Sequence, residues 1–252
     1  MIEREDDGGV AVLRLARGPV NALDLELCEA IAEAFRSLAT DPATAVVLTG
    51  AGRSFSAGVD LRRLLDGGEE YVRRFLPALD AALRIPFELG KPVVAAVNGH
   101  AIAGGAVLAA AADRRLMADG GGRVGVPEIV VGVPFPRVPI EVVRYAVGDQ
   151  VARQLMIGAK THTAAEAVGF GLVDEVVPAE ELLDRAVAEA RALAADVPPD
   201  TFAMTKAQLR RDHVERMDRY ADEAEGVARL WARRVADGWT ADYLATATGR
   251  RS

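Results

Sequence analysis

Apolar and polar positions alternate in two rhythms along this chain. Residues 10–16, VAVLRLA, switch sides at every step and carry β-branched residues at intervals, which predicts a strand. From Asp24 the rhythm lengthens: Leu27, Cys28, Ile31, Phe35 and Leu38 recur at helical spacing, predicting an amphipathic helix over 24–39 with Asp24 as its N-cap. Two short apolar runs, TAVVLTG (44–50) and PVVAAVNG (92–99), end in glycine and predict buried strands. A loop, GAGRSFSAGVDL, follows the first run and leads into charged helical sequence to about residue 87; a helix beginning near Gly104 follows the second. DRRLMA (113–118) and GRVGVPEI (122–129) predict short strands, and RVPIEVVRYAVG and GDQVARQLMIG predict two helices. TAAEAVGFGLVDEVV (163–177) predicts a short helix, a glycine turn and a strand. A long helix is predicted over 178–197, with Pro178 near its start and Pro198–Pro199 beyond its end. Everything after Pro199 is helical, with Leu230, Trp231 and Val235 as apolar anchors. Alternation to about residue 196 followed by helices implies an α/β fold: a mainly parallel sheet covered by helices, then a helical region.

The two strand–glycine–helix units carry the first chemical suggestion. Gly50, Gly52 and Gly58 follow one strand; Gly99, Gly104 and Gly105 follow the other. Ligands of open α/β sheets collect at the carboxyl ends of strands, and a helix N-terminus offers unpaired N–H groups. Two such loops can aim two N–H groups at one oxygen, the layout of an oxyanion hole. Tight turns alone would also use these glycines. A dinucleotide fold is disfavoured, since no G-x-G-x-x-G follows the first strand.

Composition narrows the field. The chain has 252 residues, half of them hydrophobic, which suits one large domain or a core with an appendage. The net charge is −7 and the basic residues are scattered, which argues against a nucleic-acid binder. Cys28 is the single cysteine, and His100, His162 and His213 show no ligand spacing, so no metal site is expected. No apolar run reaches membrane-spanning length or resembles a signal peptide, so a cytoplasmic protein is expected.

Five segments, in order, resemble the enoyl-CoA hydratase/isomerase, or crotonase, superfamily: VNAL (20–23), FSAGVDL (55–61), KPVVAAVNGHAIAGGAVLAAAADRRLMA (91–118), VPEIVVG (126–132) and AAEAVGFGLVDEVVP (164–178). The resemblance spans roughly residues 10–210. It implies a ββα spiral core over 1–196, binding acyl-CoA, and a C-terminal helical trimerisation region over 197–252, with trimers pairing into hexamers. It implies an acyl-CoA thioester as substrate, with coenzyme A entering as part of it and no separate cofactor. Val59 and Gly104 would donate the oxyanion-hole N–H groups. Ala57, Asp60 and Leu61 would line the path of the CoA, and Arg62 would stand near its phosphates. Lys206 occupies a place where relatives often carry a basic residue that reaches CoA.

The chain also departs from that pattern. Of the two glutamates of the family's hydratases, one falls on Glu128 and the other on Val107. Adding water to a double bond is well served by two carboxylates; moving a double bond needs one base, with an apolar residue such as Val107 opposite to exclude water. Enoyl-CoA isomerisation with Glu128 as base and acid is therefore preferred to hydration. A non-catalytic acyl-CoA-binding protein is a third reading. Hydrolysis ranks last: Ser54 and Ser56 lie near the first glycine loop without a nucleophile motif. VPFPRVP (133–139) replaces a glycine-rich family segment, so Phe135 is expected to reshape the acyl pocket; Arg137 is a candidate for a substrate carboxylate, with a solvated arginine the preferred reading. His100 could orient substrate.

Overall fold

The computed structural model describes residues 1–247 and 249. Its first sheet has six strands: β1 (Ile2–Asp7), β2 (Val10–Leu15), β3 (Ala45–Gly50), β5 (Val93–Val97), β7 (Arg114–Ala118) and β10 (Glu175–Val177), in the spatial order β1-β2-β3-β5-β7-β10. All neighbours are parallel except β1 with β2. The edge strand β1, IEREDD, was outside the predicted elements; its charges suit a sheet edge exposed to water. Both faces of the sheet are covered, which is why β3 and β5 read as unbroken apolar runs. Val12, Val47 and Val94 face helix α7 (Leu182–Ala194), while Leu13, Leu48 and Ala95 face the main core under α1 (Leu25–Leu38) and α2 (Leu61–Glu88).

A second sheet, β4-β6-β8-β9, is made of strands two or three residues long: β4 (Ser54–Ser56), β6 (His100–Ile102), β8 (Val124–Gly125) and β9 (Thr161–His162). The sequence predicts loops at β4 and β6 and no element at β9, because such short segments hold too few residues for a period. Three successive turns of the chain, β3-β4, β5-β6 and β7-β8, each lay one strand in each sheet. That is the ββα spiral, with helices α2, α3 (Gly104–Ala110) and α4 (Glu128–Val131) following the second strand of each turn. The strand predicted over 122–129 is thus shorter, and Glu128 opens a helix instead of ending a strand.

Helix α5 (Arg137–Gly158) joins the two helices predicted there, and its backbone breaks at Gly148, where φ is 77°. Helix α6 (Ala164–Gly169) starts in a capping box between Thr163 and Glu166. The helical region comprises α8 (Pro199–Arg219), with Pro199 at its first position, a 3-10 turn (Ala221–Glu223), α9 (Ala224–Ala236) and α10 (Trp239–Ala247). Met217, Ala228 and Trp231 join the same core as the spiral, so this region shares its packing with the sheet layers. Among the described residues no helix is long and apolar enough to cross a membrane.

Candidate active site

The oxyanion-hole candidates sit where the first and second spiral turns meet. Leu23 forms an isolated parallel bridge with Val59: the Leu23 N–H donates to the Gly58 carbonyl at 2.8 Å, and the Asp60 N–H donates to the Leu23 carbonyl at 2.9 Å. A parallel bridge uses the groups flanking the bridging residue, so the N–H of Val59 itself points to the other side. Gly104 is the first residue of α3, where no intrahelical carbonyl reaches its N–H. Before it stands Ala103, with φ 51° and ψ −126°. An alanine there stores strain of about 1–3 kcal/mol. The turn is held by the Ala103 N–H on the Gly125 carbonyl and by the Ala103 carbonyl accepting from Ala106 and Val107.

The two loops touch. A Cβ at Gly58 would lie 2.5 Å from the Ile102 carbonyl oxygen and 3.0 Å from the Ala103 Cβ, and Gly58 has φ 82°. Only glycine fits that crossing. The paired glycines of α3 divide their work. A Cβ at Gly104 would lie 3.0 Å from Leu23 Cδ1, 3.7 Å from Leu79 Cδ1 and 3.9 Å from Val59 Cγ2, so it would crowd the side chains between the two loops. One at Gly105 would lie 2.4 Å from the Ser56 carbonyl, so Gly105 serves the close approach of α3 to β4. Buried Asn21 organises the loop beneath: its amide donates to the Ala51 and Ser54 carbonyls, and its backbone carbonyl accepts from Ser56 Oγ at 2.7 Å. Ser56 is therefore committed to the scaffold.

Below this junction lies a cavity of about 70 Å³ lined by Ala57, Val59, Leu61, Ile102, Ala103, Pro127, Glu128, Val131, Val133, Trp231 and Tyr243. Glu128 is its one carboxylate. It is 7 % exposed, and its Oε2 is buried without a hydrogen-bond partner. Burial pushes its carboxyl up to about 8, a backbone hydrogen bond offsetting only part of the rise. The four-residue α4 that presents it closes at Gly132, in the left-handed region. Tyr243 of α10 is close enough for the Glu128 charge, after burial, to raise its phenol. Trp239 of α10 donates its indole N–H to the Val130 carbonyl at 3.4 Å, and Trp231 donates its own to the Pro134 carbonyl at 2.9 Å. The two C-terminal helices thus roof the Glu128 segment.

Ala57, Val59, Leu61 and Tyr243 also border an open groove of about 700 Å³, so cavity and groove share a wall. Asp60 and Arg62 line the groove. Asp60 caps α2 by accepting from the Arg62 and Arg63 N–H groups. Arg17 and Arg63 also border the groove but are tied to Asp24 and Glu26, at 2.8 and 2.6 Å. Arg62 is exposed and, among the described residues, makes no ion pair.

Other candidates fall elsewhere. Val107 is fully buried in the core and does not line the cavity; Phe135 packs against the core from outside it, and Val131 and Val133 form the wall expected of Phe135. Arg137 is bound to Glu223 at 2.6 Å and to Glu141 at 3.4 Å and lies over the Tyr220 ring, so it is neither solvated nor aimed at the cavity. His100 accepts from the Arg123 N–H at 3.2 Å, away from the cavity. Lys206 does not reach the groove: it is buried, with its ammonium on Asp113 at 2.7 Å and on the Lys91 carbonyl at 2.9 Å. The sequence marks Trp231 only as an apolar anchor, and Tyr243 carries no sequence signal, because it meets Glu128 only through the return of α10.

Comparisons with known proteins give the family and the fold. The family model for Enoyl-CoA hydratase/isomerase matches residues 5–228. A probable enoyl-CoA hydratase of Mycobacterium avium is 38 % identical over 209 residues, 80 % of this chain and 78 % of that one. The crystal structure of human mitochondrial delta3-delta2-enoyl-CoA isomerase superposes with a TM-score of 0.89 over 100 % of this chain and 99 % of that one; at 24 % identity this shows the fold. The apo structure of an enoyl-CoA isomerase of Mycobacterium tuberculosis superposes with a TM-score of 0.76 at 27 % identity, over 94 % and 97 % of the two chains. With the family model covering most of its length, the chain belongs to the enoyl-CoA hydratase/isomerase family.

Proposed function

We propose that this enzyme moves the double bond of a 3-enoyl-CoA to position 2, with Glu128 as its single proton carrier. The observation that carries this reading is the isolation of Glu128: one carboxylate in a mostly apolar cavity, with one oxygen unpartnered. The thioester carbonyl sits between the Val59 and Gly104 N–H groups. Ionised Glu128 takes a proton from C2; the electron pair moves to the thioester oxygen, giving a dienolate that the two N–H groups stabilise. Glu128 then returns the same proton to C4, the electrons settle between C2 and C3, and the carboxylate is regenerated. Such donors are worth about 10²–10³ in rate each. A base poised near neutral pH both accepts and returns a proton readily. The CoA moiety lies along the open groove, with Arg62 as the cation free for its phosphates.

Water addition is the second reading, favoured by the relatives, most of which carry hydratase names. Paired assays on purified protein separate the two: isomerisation of 3-enoyl-CoA and hydration of trans-2-enoyl-CoA, each with Glu128→Gln alongside. Isomerisation well above hydration, both lost in Glu128→Gln, is the expected result. Robust hydration by the unaltered enzyme would overturn the isomerase reading, and turnover surviving in Glu128→Gln would overturn the role of Glu128. As the family resemblance implies, the assembly is proposed to be a trimer or a pair of trimers, with Met204 and Leu209, exposed on α8, as apolar contacts; sedimentation of the intact chain tests this.

A further inference from the structure

One wall of the candidate acyl cavity is a large side chain held firmly in place. Trp231 is 2 % exposed, and its ring meets Phe75 at 6.4 Å between centroids. Its indole N–H is held by the Pro134 carbonyl at 2.9 Å. That carbonyl belongs to V-P-F-P, where prolines 134 and 136 restrict the backbone on both sides. Val131 and Val133 narrow the remaining space. The cavity of about 70 Å³ has room for roughly five water-sized groups at about 10–15 Å³ each.

Its lining also sets polarity. Besides Glu128 and Tyr243, the only polar side-chain group on the wall is the Trp231 N–H, already used by Pro134. No cation lines it. A carboxylate brought in on an acyl tail would lie beside Glu128 without a cation to balance its charge.

We infer that this site is specific for short, uncharged acyl-CoA thioesters of about four to six acyl carbons, with Trp231 as the residue that sets the limit. The inference rests on the acyl-CoA reading of the cavity but not on which reaction occurs there, so binding tests it separately from turnover. Calorimetric titration of the intact protein with saturated thioesters gives the answer. From acetyl-CoA to butanoyl-CoA each methylene is expected to tighten binding about four-fold, the equivalent of about 0.8 kcal/mol. The gain should stop by hexanoyl-CoA, and decanoyl-CoA should bind at least ten-fold more weakly than butanoyl-CoA. Succinyl-CoA, of the same four-carbon length, should also bind at least ten-fold more weakly than butanoyl-CoA.

Trp231→Ala should move the optimum to eight or more carbons. If that variant does not fold, Val133→Ala should move it in the same direction by one or two carbons. Decanoyl-CoA binding as tightly as butanoyl-CoA to the unaltered protein would overturn the inference while leaving the acyl-CoA reading intact. Tight succinyl-CoA binding would overturn the charge argument. An optimum unmoved in a folded Trp231→Ala would remove Trp231 from its role. Failure of every thioester to bind would remove the inference and the acyl-CoA reading together.

Discussion

Glu128 and Glu141 stand thirteen residues apart, and both are buried, yet the fold gives them opposite surroundings. Glu141 has no side-chain exposure and accepts from four groups: Arg137 and Arg144 at one oxygen, His213 and Arg216 at the other, at 3.4, 3.1, 3.0 and 2.8 Å. Burial pushes its carboxyl up, but hydrogen bonds from Arg216 and His213 and the charges of Arg144 and Arg216 outweigh burial, and the net shift is downward. Glu128 has burial without cations, and its proton affinity rises to about 8. One glutamate is a fixed charge that ties α5 to α8; the other keeps its proton available to exchange. Burial alone therefore does not single out a candidate proton carrier, whereas burial without a partner beside a cavity does.

The largest test of that contrast is to exchange each carboxylate for its amide. Glu128→Gln should lower turnover by about 10²–10⁴-fold and leave thermal unfolding at neutral pH unchanged or slightly raised. Glu141→Gln should do the reverse: it leaves half-buried arginines beside a neutral amide, costing about 1–3 kcal/mol in denaturant unfolding, while turnover per folded molecule stays near normal. If both variants lose activity and neither loses stability, the distinction between the two glutamates fails.

The pH dependence of stability sharpens it. Folded Glu128 holds its proton more tightly than the ordinary 4.5, so its contribution is full below about 4.5 and is lost as pH rises through about 8. The loss is at most about 1.4 kcal/mol per pH unit within that window. Glu128→Gln should flatten this part of the profile. Glu141 acts in the other direction: its folded affinity is lowered, so its contribution is present above 4.5 and disappears as pH falls below it. Urea titrations of both variants across pH 4–9 provide the check.

The smallest effect comes from making Glu128 resemble Glu141. Tyr243→Lys places a cation where the phenol now senses the Glu128 charge. The rising limb of kcat/KM should move toward acid by about one pH unit or somewhat more. Tyr243→Phe should move it by less, because the phenol is neutral near pH 8. A limb that stays put in Tyr243→Lys would mean that α10 does not meet Glu128 in the working enzyme.

Much of this arrangement can be read locally. The period of Leu27, Cys28, Ile31, Phe35 and Leu38 marked α1, and all five are buried. The apolar runs at 44–50 and 92–99 marked β3 and β5 because both sheet faces are covered. The short strands of the second sheet were invisible, since they are defined by neighbours from other spiral turns. Glu128, Val59 and Gly104 could be named because a motif surrounds each of them. Val107 and Phe135 could be named too, but their side-chain directions depend on packing that no motif specifies; the core takes the first and the outside of the wall takes the second.

What the sequence determined by itself was the long strands and helices of the core, the family and the residues in which proton transfer could reside, because periodicity and local motifs act over a few residues. The tertiary structure decided which carboxylate is left without a partner, where Lys206 and Arg137 spend their charges, and how α9 and α10 bring Trp231 and Tyr243 over Glu128. Those outcomes join residues about a hundred positions apart, and a proton affinity depends on everything within a few ångströms, wherever in the chain it originates.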